Sequence, residues 1–360
     1  MNLYLSLVLI FLCCAFSALE LATRRSYGMF CAILVALFVY IIAEREVHVV
    51  PDTVPYVGYY ISLDANAEWS SIFEGGFDVG YNLFNLLCKK AGLHYRVFLG
   101  LIALIPCLLY LYTVNKLREF SYRGVGLCVK FSLWAGFWGM VWSGITRRVG
   151  MALPFAFLAH VLLLKKRYVR AVLSFSIAYT FHSSIVVYPV FLFLSSKVKW
   201  EHKSYYIYGG VIILLWLAHA NLRIVGILHI IFTNILSLIA FNTPFLYKYS
   251  IYIDDVYDSF SSRKNFLFLV MMLFFASARP KNNPQYDHWL RFFAFNLALT
   301  FPLGSFIIGY RISDISLISA LPLIYHCVGS RKFALDLRIC ICLGFIISLF
   351  IFSLRMTHVY

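Results

Sequence analysis

The chain alternates between long apolar runs and short polar connections over almost its whole length. Because a helix needs roughly 20 apolar residues to cross a bilayer, each long run predicts a spanning helix. The pattern therefore predicts an all-α, polytopic membrane protein that forms a single domain over residues 1–360. About twelve spanning or re-entrant segments are predicted: 3–19, 28–43, 97–114, 124–141, 149–164, 171–195, 205–221, 224–241, 265–278, 289–308, 312–328 and 338–354.

Two of these segments allow a second interpretation. Residues 171–195 either cross the membrane as one helix or form two half-helices that fold back at His182. In the second case residues 224–241 are also interfacial or re-entrant. Broken helices are tolerated in membranes where the freed backbone lines a cavity.

The first run, residues 2–19, has no basic residue ahead of it and no small-residue cleavage site, so it predicts a span and not a removable signal peptide.

Short basic connections predict the orientation of the helices, because Lys and Arg accumulate on the inner side of a membrane. Both chain termini and two long connections, residues 44–96 and 242–264, then lie outside. Lys197, Lys199 and Lys203 fall outside in this count, against the rule. The inner connections are residues 24–25, 116–123, 165–170, 279–281 and 331–338.

The composition excludes a water-soluble domain of this size. Hydrophobic residues make up 62% of the chain and charged residues 13%, with a mean hydropathy of +0.81. The net charge of +15 is dispersed between the spans, which is typical of contact with anionic lipid headgroups and not of nucleic-acid binding. The nine cysteines lie almost entirely in apolar runs without a CxxC pair, so we expect small core residues and no metal site.

The long outer connection at residues 44–96 carries acids and aromatic rings, and it contains a Gly-rich turn followed by an amphipathic run at 81–87. That run predicts a helix lying on or dipping into the membrane. Aromatic rings with carboxylates are typical of carbohydrate sites, where rings stack on sugars and carboxylates accept hydroxyl hydrogen bonds. An aromatic belt at the bilayer surface is the alternative interpretation.

The chain has no P-loop, GxGxxG or kinase motif, which argues against ATP-driven transport. The main candidates for functional residues lie in the segment 142–184, where Arg147 and Arg148 open one predicted span and His182 lies inside the next. Charged and ionisable residues in membrane helices are costly, so they are functional candidates. Arg311, next to Tyr310, opens a later predicted span.

Each of these candidates has a structural alternative. A guanidinium group binds two phosphate oxygens at once, so Arg147 and Arg148 predict a lipid pyrophosphate ligand. The alternative is that both side chains extend towards the lipid headgroups. Arg311 could pair locally with Asp314. His182 is either a general base or a hydrogen-bonded core residue.

Several short motifs occur in a particular order along the chain. They are Asp52, the segment DVGYNL at 78–83, Arg147 followed by GMA at 150–152, FHSS at 181–184, and Tyr310 with Arg311. This set resembles the EpsG family of polysaccharide polymerases, relatives of the Wzy O-antigen polymerases. Asp78 and Arg148 depart from the family pattern, which often has Glu and an amide at these places.

The resemblance implies a GT-C-like integral-membrane glycosyltransferase at the periplasmic face of the bacterial inner membrane. Its substrates would be undecaprenyl-pyrophosphate-linked oligosaccharide repeats of an O-antigen, capsule or exopolysaccharide. No cofactor or metal is implied; a chain-length regulator is an expected partner. A flippase or exporter of the same lipid-linked sugar and a membrane O-acyltransferase are the alternatives. The resemblance implies catalytic roles for His182, Asp52 and Asp78, and substrate binding by Arg147, Arg148, Arg311, Tyr81 and Tyr310.

Overall fold

The computed structural model describes residues 3–45, 53–117, 125–144, 147–217, 260–280, 283–303, 318–330 and 333–358. Every regular element in these ranges is a helix. The chain groups into two compact units, of which the first comprises Met1–Val186 with Ile324–Tyr360 and the second Val187–Leu323. The single domain expected from the sequence stays a prediction.

The first unit contains most of the helices. They are α1 (Leu3–Thr23), α2 (Gly28–Ala43), α3 (Thr53–Ser62), α4 (Ser71–Glu74), α5 (Val79–Lys90), α6 (Tyr95–Leu117), α7 (Leu127–Trp134) continued by a π-helix (Ala135–Ser143), α8 (Arg147–Leu164), and α9 (Tyr168–Phe181) followed by a 3-10 turn (Ser183–Val186). The second unit contains α10 (Val187–Lys197), α11 (His202–Leu217), α12 (Phe260–Ser277) and α13 (Pro284–Leu303). Helix α14 (Ala320–Gly329) begins in the second unit and ends in the first, to which α15 (Leu335–His358) belongs.

The apolar runs form helices as the sequence predicts, and α2 has the predicted bounds of 28–43. Within the described ranges, four helical segments are long and apolar enough to cross a bilayer: Leu3–Thr23, Tyr95–Leu117, Arg147–Leu164 and Leu335–Leu354. The all-α prediction is therefore confirmed over the described ranges, and these four helices have the length and composition that a membrane protein needs. The count of about twelve segments and the GT-C-like architecture stay predictions. The predicted segment 224–241 and residues 242–259 of the predicted loop 242–264 lie outside the described residues, and residues 260–264 belong to α12.

A buried carboxylate organises one end of the first unit. Glu20 of α1 is 1% exposed, and it accepts hydrogen bonds from the backbone N–H groups of Tyr27 (2.9 Å) and Val129 (3.1 Å). Val129 lies in the first turn of α7, where backbone N–H groups lack partners within the helix. Glu20 therefore caps α7 from a distance and joins α1, α2 and α7.

The long connection at 44–96 is largely folded. Helices α3 and α5 pack against the start of α6 through buried side chains that include Tyr60 and Phe98, whose stacked rings lie 4.1 Å apart. The amide of Asn82 donates to the carbonyls of Ile72 and Phe77, both at 2.9 Å, and so closes the Gly-rich turn before α5. The helix predicted over 81–87 is confirmed within α5.

The predicted break at His182 is also observed. Helix α9 ends at Phe181, and His182 has extended backbone angles (φ −159°, ψ 110°) before the 3-10 turn begins. One continuous helix over 171–195 is therefore wrong. The folding back of the two halves stays a prediction.

Candidate functional site

One carboxylate joins three elements of the first unit. Asp78 occupies the N-cap position of α5, but its side chain makes no cap hydrogen bond to that helix. Its Oδ2 accepts from Arg148 Nη1 at 2.7 Å, and its Oδ1 accepts from the backbone N–H of Ser183 at 3.1 Å. His182 Nδ1 lies 3.5 Å from Oδ2. Asp78 therefore links α5, the first turn of α8 and the turn after α9.

Close packing brings these elements together. At Gly80, a Cβ atom would lie 2.5 Å from Thr180 Oγ1 and 2.9 Å from the backbone carbonyl of Thr180, so only glycine permits this approach of α5 to α9. Helices α8 and α9 are joined by the stacked rings of Phe155 and Phe181, 6.0 Å apart. The break after Phe181 then turns the imidazole of His182 and the N–H of Ser183 towards Asp78.

The surroundings of Asp78 keep it ionised. Burial alone raises the pKa of the carboxyl, but His182, the positive charge of Arg148 and the N–H of Ser183 together lower the pKa to about 2. The 2.7 Å contact with Arg148 is the firmer of the two side-chain contacts, because 3.5 Å is long for a hydrogen bond. A carboxylate with so low a pKa is a poor proton acceptor at neutral pH, and it favours a positive charge on its neighbours.

Aromatic rings hold Arg148 in place. Its guanidinium lies 4.9 Å from the ring centre of Phe77 and 5.8 Å from that of Tyr56, and its Nε donates to the Tyr56 hydroxyl at 3.3 Å. Tyr81 is fully buried, with its ring edge-on to those of Tyr56 and Phe77. The rings of Tyr56, Phe77 and Tyr81 form an aromatic wall beside Arg148. Substrate binding by Tyr81 stays a prediction.

Arg147 faces a different environment from its neighbour, because consecutive residues of a helix point about 100° apart. Its side chain is fully buried, which opposes the interpretation that it extends towards lipid headgroups. Arg147 Nη2 lies 3.4 Å from the hydroxyl oxygen of Thr53, to which it donates. The guanidinium also lies 6.0 Å from the ring centre of Tyr56.

Arg45 is a site residue that the sequence analysis missed. It follows α2, is 3% exposed, and donates from Nη1 to the carbonyl of Gly144 at 2.8 Å. A Cβ atom at position 144 would come within 2.5 Å of that nitrogen, so glycine makes the contact feasible. The available signal was an arginine on the predicted outer side, where the positive-inside rule disfavours it.

The structure thus brings together four predicted residues, His182, Asp78, Arg148 and Tyr81, with Arg147 close to the same aromatic wall. Three others, Asp52, Tyr310 and Arg311, lie outside the described residues, and their roles stay predictions.

The family model described as the EpsG family matches residues 28–360. The chain belongs to the EpsG family. This family is Wzy-type polymerase-like and is associated with polysaccharide biosynthesis. No curated protein and no solved structure matches the chain. This EpsG-family chain is accordingly a polysaccharide-polymerase-like membrane protein, and the matched range includes Arg45, Asp78, Arg147, Arg148 and His182.

Proposed function

We propose that this EpsG-family chain polymerises undecaprenyl-pyrophosphate-linked oligosaccharide repeats by glycosyl transfer at the periplasmic face of the inner membrane. The observation that carries the proposal is the contact of Asp78 with His182 and Arg148, next to the buried Arg147. A polymerase of this class needs a base for a hydroxyl and positive charge for a departing pyrophosphate, and this cluster contains both.

The proposed reaction joins two lipid-linked saccharides. A hydroxyl oxygen of the acceptor repeat attacks the anomeric carbon of the donor chain, and a new glycosidic C–O bond forms there. The bond from that carbon to the pyrophosphate oxygen breaks, and undecaprenyl pyrophosphate leaves with the electron pair. The proton of the acceptor hydroxyl passes to a protein base.

His182 is the proposed base, and Asp78 is the residue that orients it. The carboxylate of Asp78 is held ionised by Arg148, so it stabilises the imidazolium that forms when His182 takes the proton. Arg148 is primarily a positioning residue in this scheme, because its Nη1 is engaged by Asp78. Asp52 remains a candidate for binding donor hydroxyls or for accepting the proton.

Arg147, with Arg311, is proposed to bind the leaving pyrophosphate. Arg147 is the first residue of α8, and a helix N-terminus favours an anion through its unpaired N–H groups and its dipole. Tyr310 and Tyr81 are proposed to contribute to the substrate site. A chain-length regulator is a proposed partner.

A deletion strain tests the proposal through its surface glycan. We expect single, unpolymerised repeats in place of a ladder, and restoration of the ladder by the full-length chain. Accumulation of undecaprenyl-linked repeats at the cytoplasmic face would identify an exporter instead. A ladder of normal length that lacks acyl groups would identify an O-acyltransferase.

A further inference from the structure

Two buried arginines lie close together without a carboxylate partner among the described residues. Arg45 and Arg147 are 3% and 0% exposed. The only hydrogen-bond partners that the described residues give them are the carbonyl of Gly144 for Arg45 and the hydroxyl of Thr53 for Arg147. The Thr53 hydroxyl in turn lies 3.4 Å from the carbonyl oxygen of Gly144, which connects the two arginines through shared neighbours.

The two positively charged guanidinium groups repel each other. Burial, and secondly the positive charge of Arg147, lower the pKa of Arg45 to about 10. Like charges with little solvent around them are costly unless an opposite charge compensates them. The arrangement therefore favours an anion between or beside the two side chains.

The donors needed for such an anion are present. Nε and Nη2 of Arg45, and Nε and Nη1 of Arg147, are buried nitrogen atoms without an acceptor in the described part of the chain. The Ser143 hydroxyl is likewise buried without a partner there. Buried donors normally have acceptors in folded proteins, so a group of this kind needs an explanation such as a ligand.

We infer that Arg45 joins Arg147 in binding one phosphate-type oxyanion, and that both guanidinium groups contact it directly. The identity of this anion as the pyrophosphate of the lipid carrier rests on the proposed function. Arg45 then supplies the second positive charge beside Arg147, because the guanidinium of Arg148 is held by Asp78.

A phosphate-type group suits this site better than a carboxylate for two reasons. Two guanidinium groups offer four unpaired nitrogen donors, and the three acceptor oxygens of a phosphate group receive donors from more directions than the two oxygens of a carboxylate. A phosphate group carrying close to two negative charges also balances two arginines, whereas a carboxylate balances one.

Binding of inorganic pyrophosphate, inorganic phosphate and farnesyl pyrophosphate to the purified full-length protein in detergent tests this inference. The readout is the concentration dependence of the thermal unfolding midpoint, which gives an apparent Kd without any need for turnover. Wild-type protein is expected to be stabilised by pyrophosphate, and farnesyl pyrophosphate is expected to bind more tightly if the lipid-borne group is the natural ligand. Equal or tighter binding of the inorganic ions would assign the site to a free phosphate.

Arg45→Gln is expected to weaken pyrophosphate binding about tenfold or more, since a hydrogen bond to a charged group contributes about 1.5–3 kcal/mol. Arg45→Lys is the second variant, for use if Arg45→Gln does not fold. It keeps the positive charge but not the bidentate guanidinium geometry, so we expect weaker pyrophosphate binding than in the wild type. Arg96→Gln is the matched control, because Arg96 is half-exposed and pairs with Glu44 at 2.8 Å. We expect its pyrophosphate binding to equal that of the wild type.

Full pyrophosphate binding by a folded Arg45 variant would overturn the inference, as would the absence of stabilisation of the wild type. The deletion strain tests the proposed function separately. A normal glycan ladder in that strain, together with Arg45-dependent pyrophosphate binding, would refute polymerisation and leave the anion site in place. A missing ladder, together with pyrophosphate binding that does not depend on Arg45, would refute the anion site and leave the proposed polymerisation in place.

Discussion

Asp78 occupies an N-cap position, but its side chain does not cap its own helix. An aspartate at an N-cap position normally accepts a hydrogen bond from its own helix, which contributes about 1 kcal/mol. Asp78 instead directs both carboxylate oxygens to other elements, namely Arg148 of α8 and Ser183 after α9. Helix α5 therefore lacks a side-chain cap from Asp78, and the carboxylate forms a partly buried ion pair with Arg148. The side chain of Asp78 therefore stabilises the cluster and not the first turn of α5.

The lowered pKa of Asp78 predicts a pH-dependent stability. Its folded-state pKa of about 2 lies below the ordinary value of 3.8, so the ionised carboxylate stabilises the folded protein above about pH 4. That contribution, roughly 2 kcal/mol, is lost as the pH falls from about 4 towards 2. We expect Asp78→Asn to unfold at a lower temperature than the wild type at pH 7, and the difference to shrink as the pH is lowered through this window. A difference that is constant from pH 7 to pH 2.5 would contradict the assignment.

The imidazole of His182 is expected to be essential for polymerisation. His182→Ala removes the proposed base, and loss of a general base typically lowers a rate by about 10²–10⁴-fold. The measurement is the glycan ladder of a strain that carries the variant, with the membrane level of the protein checked by immunoblot. His94→Ala is the control, because His94 is exposed on the connection before α6, and its ladder is expected to be normal. A normal ladder from His182→Ala would remove this residue from the mechanism.

Lysine is expected to fail at position 147. Arg147 is buried, so its side chain does not merely extend to headgroups, and a point charge on a flexible stem replaces a bidentate fork poorly. Arg147→Lys should lower the rate by about two to three orders of magnitude and shorten the ladder. The same result is expected for Arg311→Lys, whereas Arg96→Lys should behave as the wild type. Wild-type ladders from both Arg147→Lys and Arg311→Lys would refute the proposed pyrophosphate clamp.

At the scale of whole elements, the distance between α5 and α9 determines whether the cluster forms. Gly80→Ala would place a Cβ atom 2.9 Å from the backbone of Thr180, which a side-chain rotation cannot relieve. We expect a destabilisation of about 1–3 kcal/mol and a loss of long glycan chains, since Asp78 would move away from Ser183. Thermal unfolding and the glycan ladder are the two measurements.

Gly76→Ala is the matched control for this change. Position 76 lies in the same Gly-rich turn, but a Cβ atom there would meet nothing within 4 Å. Its stability and ladder should resemble those of the wild type. Equal effects of the two substitutions would show that the turn, and not the approach of α5 to α9, is sensitive.

The sequence was sufficient for the helices and insufficient for their contacts, and α2 and Arg45 illustrate both cases. The apolar run at 28–43 is a local signal, so it predicted the bounds of α2. Arg45 depends on Gly144, which lies 99 positions away in the chain, and no local pattern relates the two. For His182 the sequence offered a break as one of two interpretations, and tertiary contacts with Asp78 accompany the break that is observed.

At the scale of the whole molecule, the orientation of the helices is the main prediction to test. Residues 44–96 and 242–264 are expected to face the periplasm, because the opposite connections carry the basic clusters. Asp64→Cys and Asp258→Cys should therefore react with a membrane-impermeant thiol reagent in intact cells. Arg167→Cys, in an exposed connection predicted to lie inside, should react only after permeabilisation. Protection of both outer positions would overturn the orientation.

The background for this labelling follows from the native cysteines. Seven of the nine are buried, Cys14 is partly buried and Cys340 is exposed. Replacing Cys340 by serine should therefore lower the reaction of the parent protein enough to detect a single introduced thiol.

The low exposure of the imidazole and its carboxylate has a consequence for the fate of the donor. Their side chains are 14% and 15% exposed, so few water molecules reach them. A base that activates a sugar hydroxyl also activates water, and attack by water on the anomeric carbon would release the growing chain from its carrier. In the proposed reaction, shielding of these two side chains therefore protects the chain from hydrolysis and commits each donor to elongation.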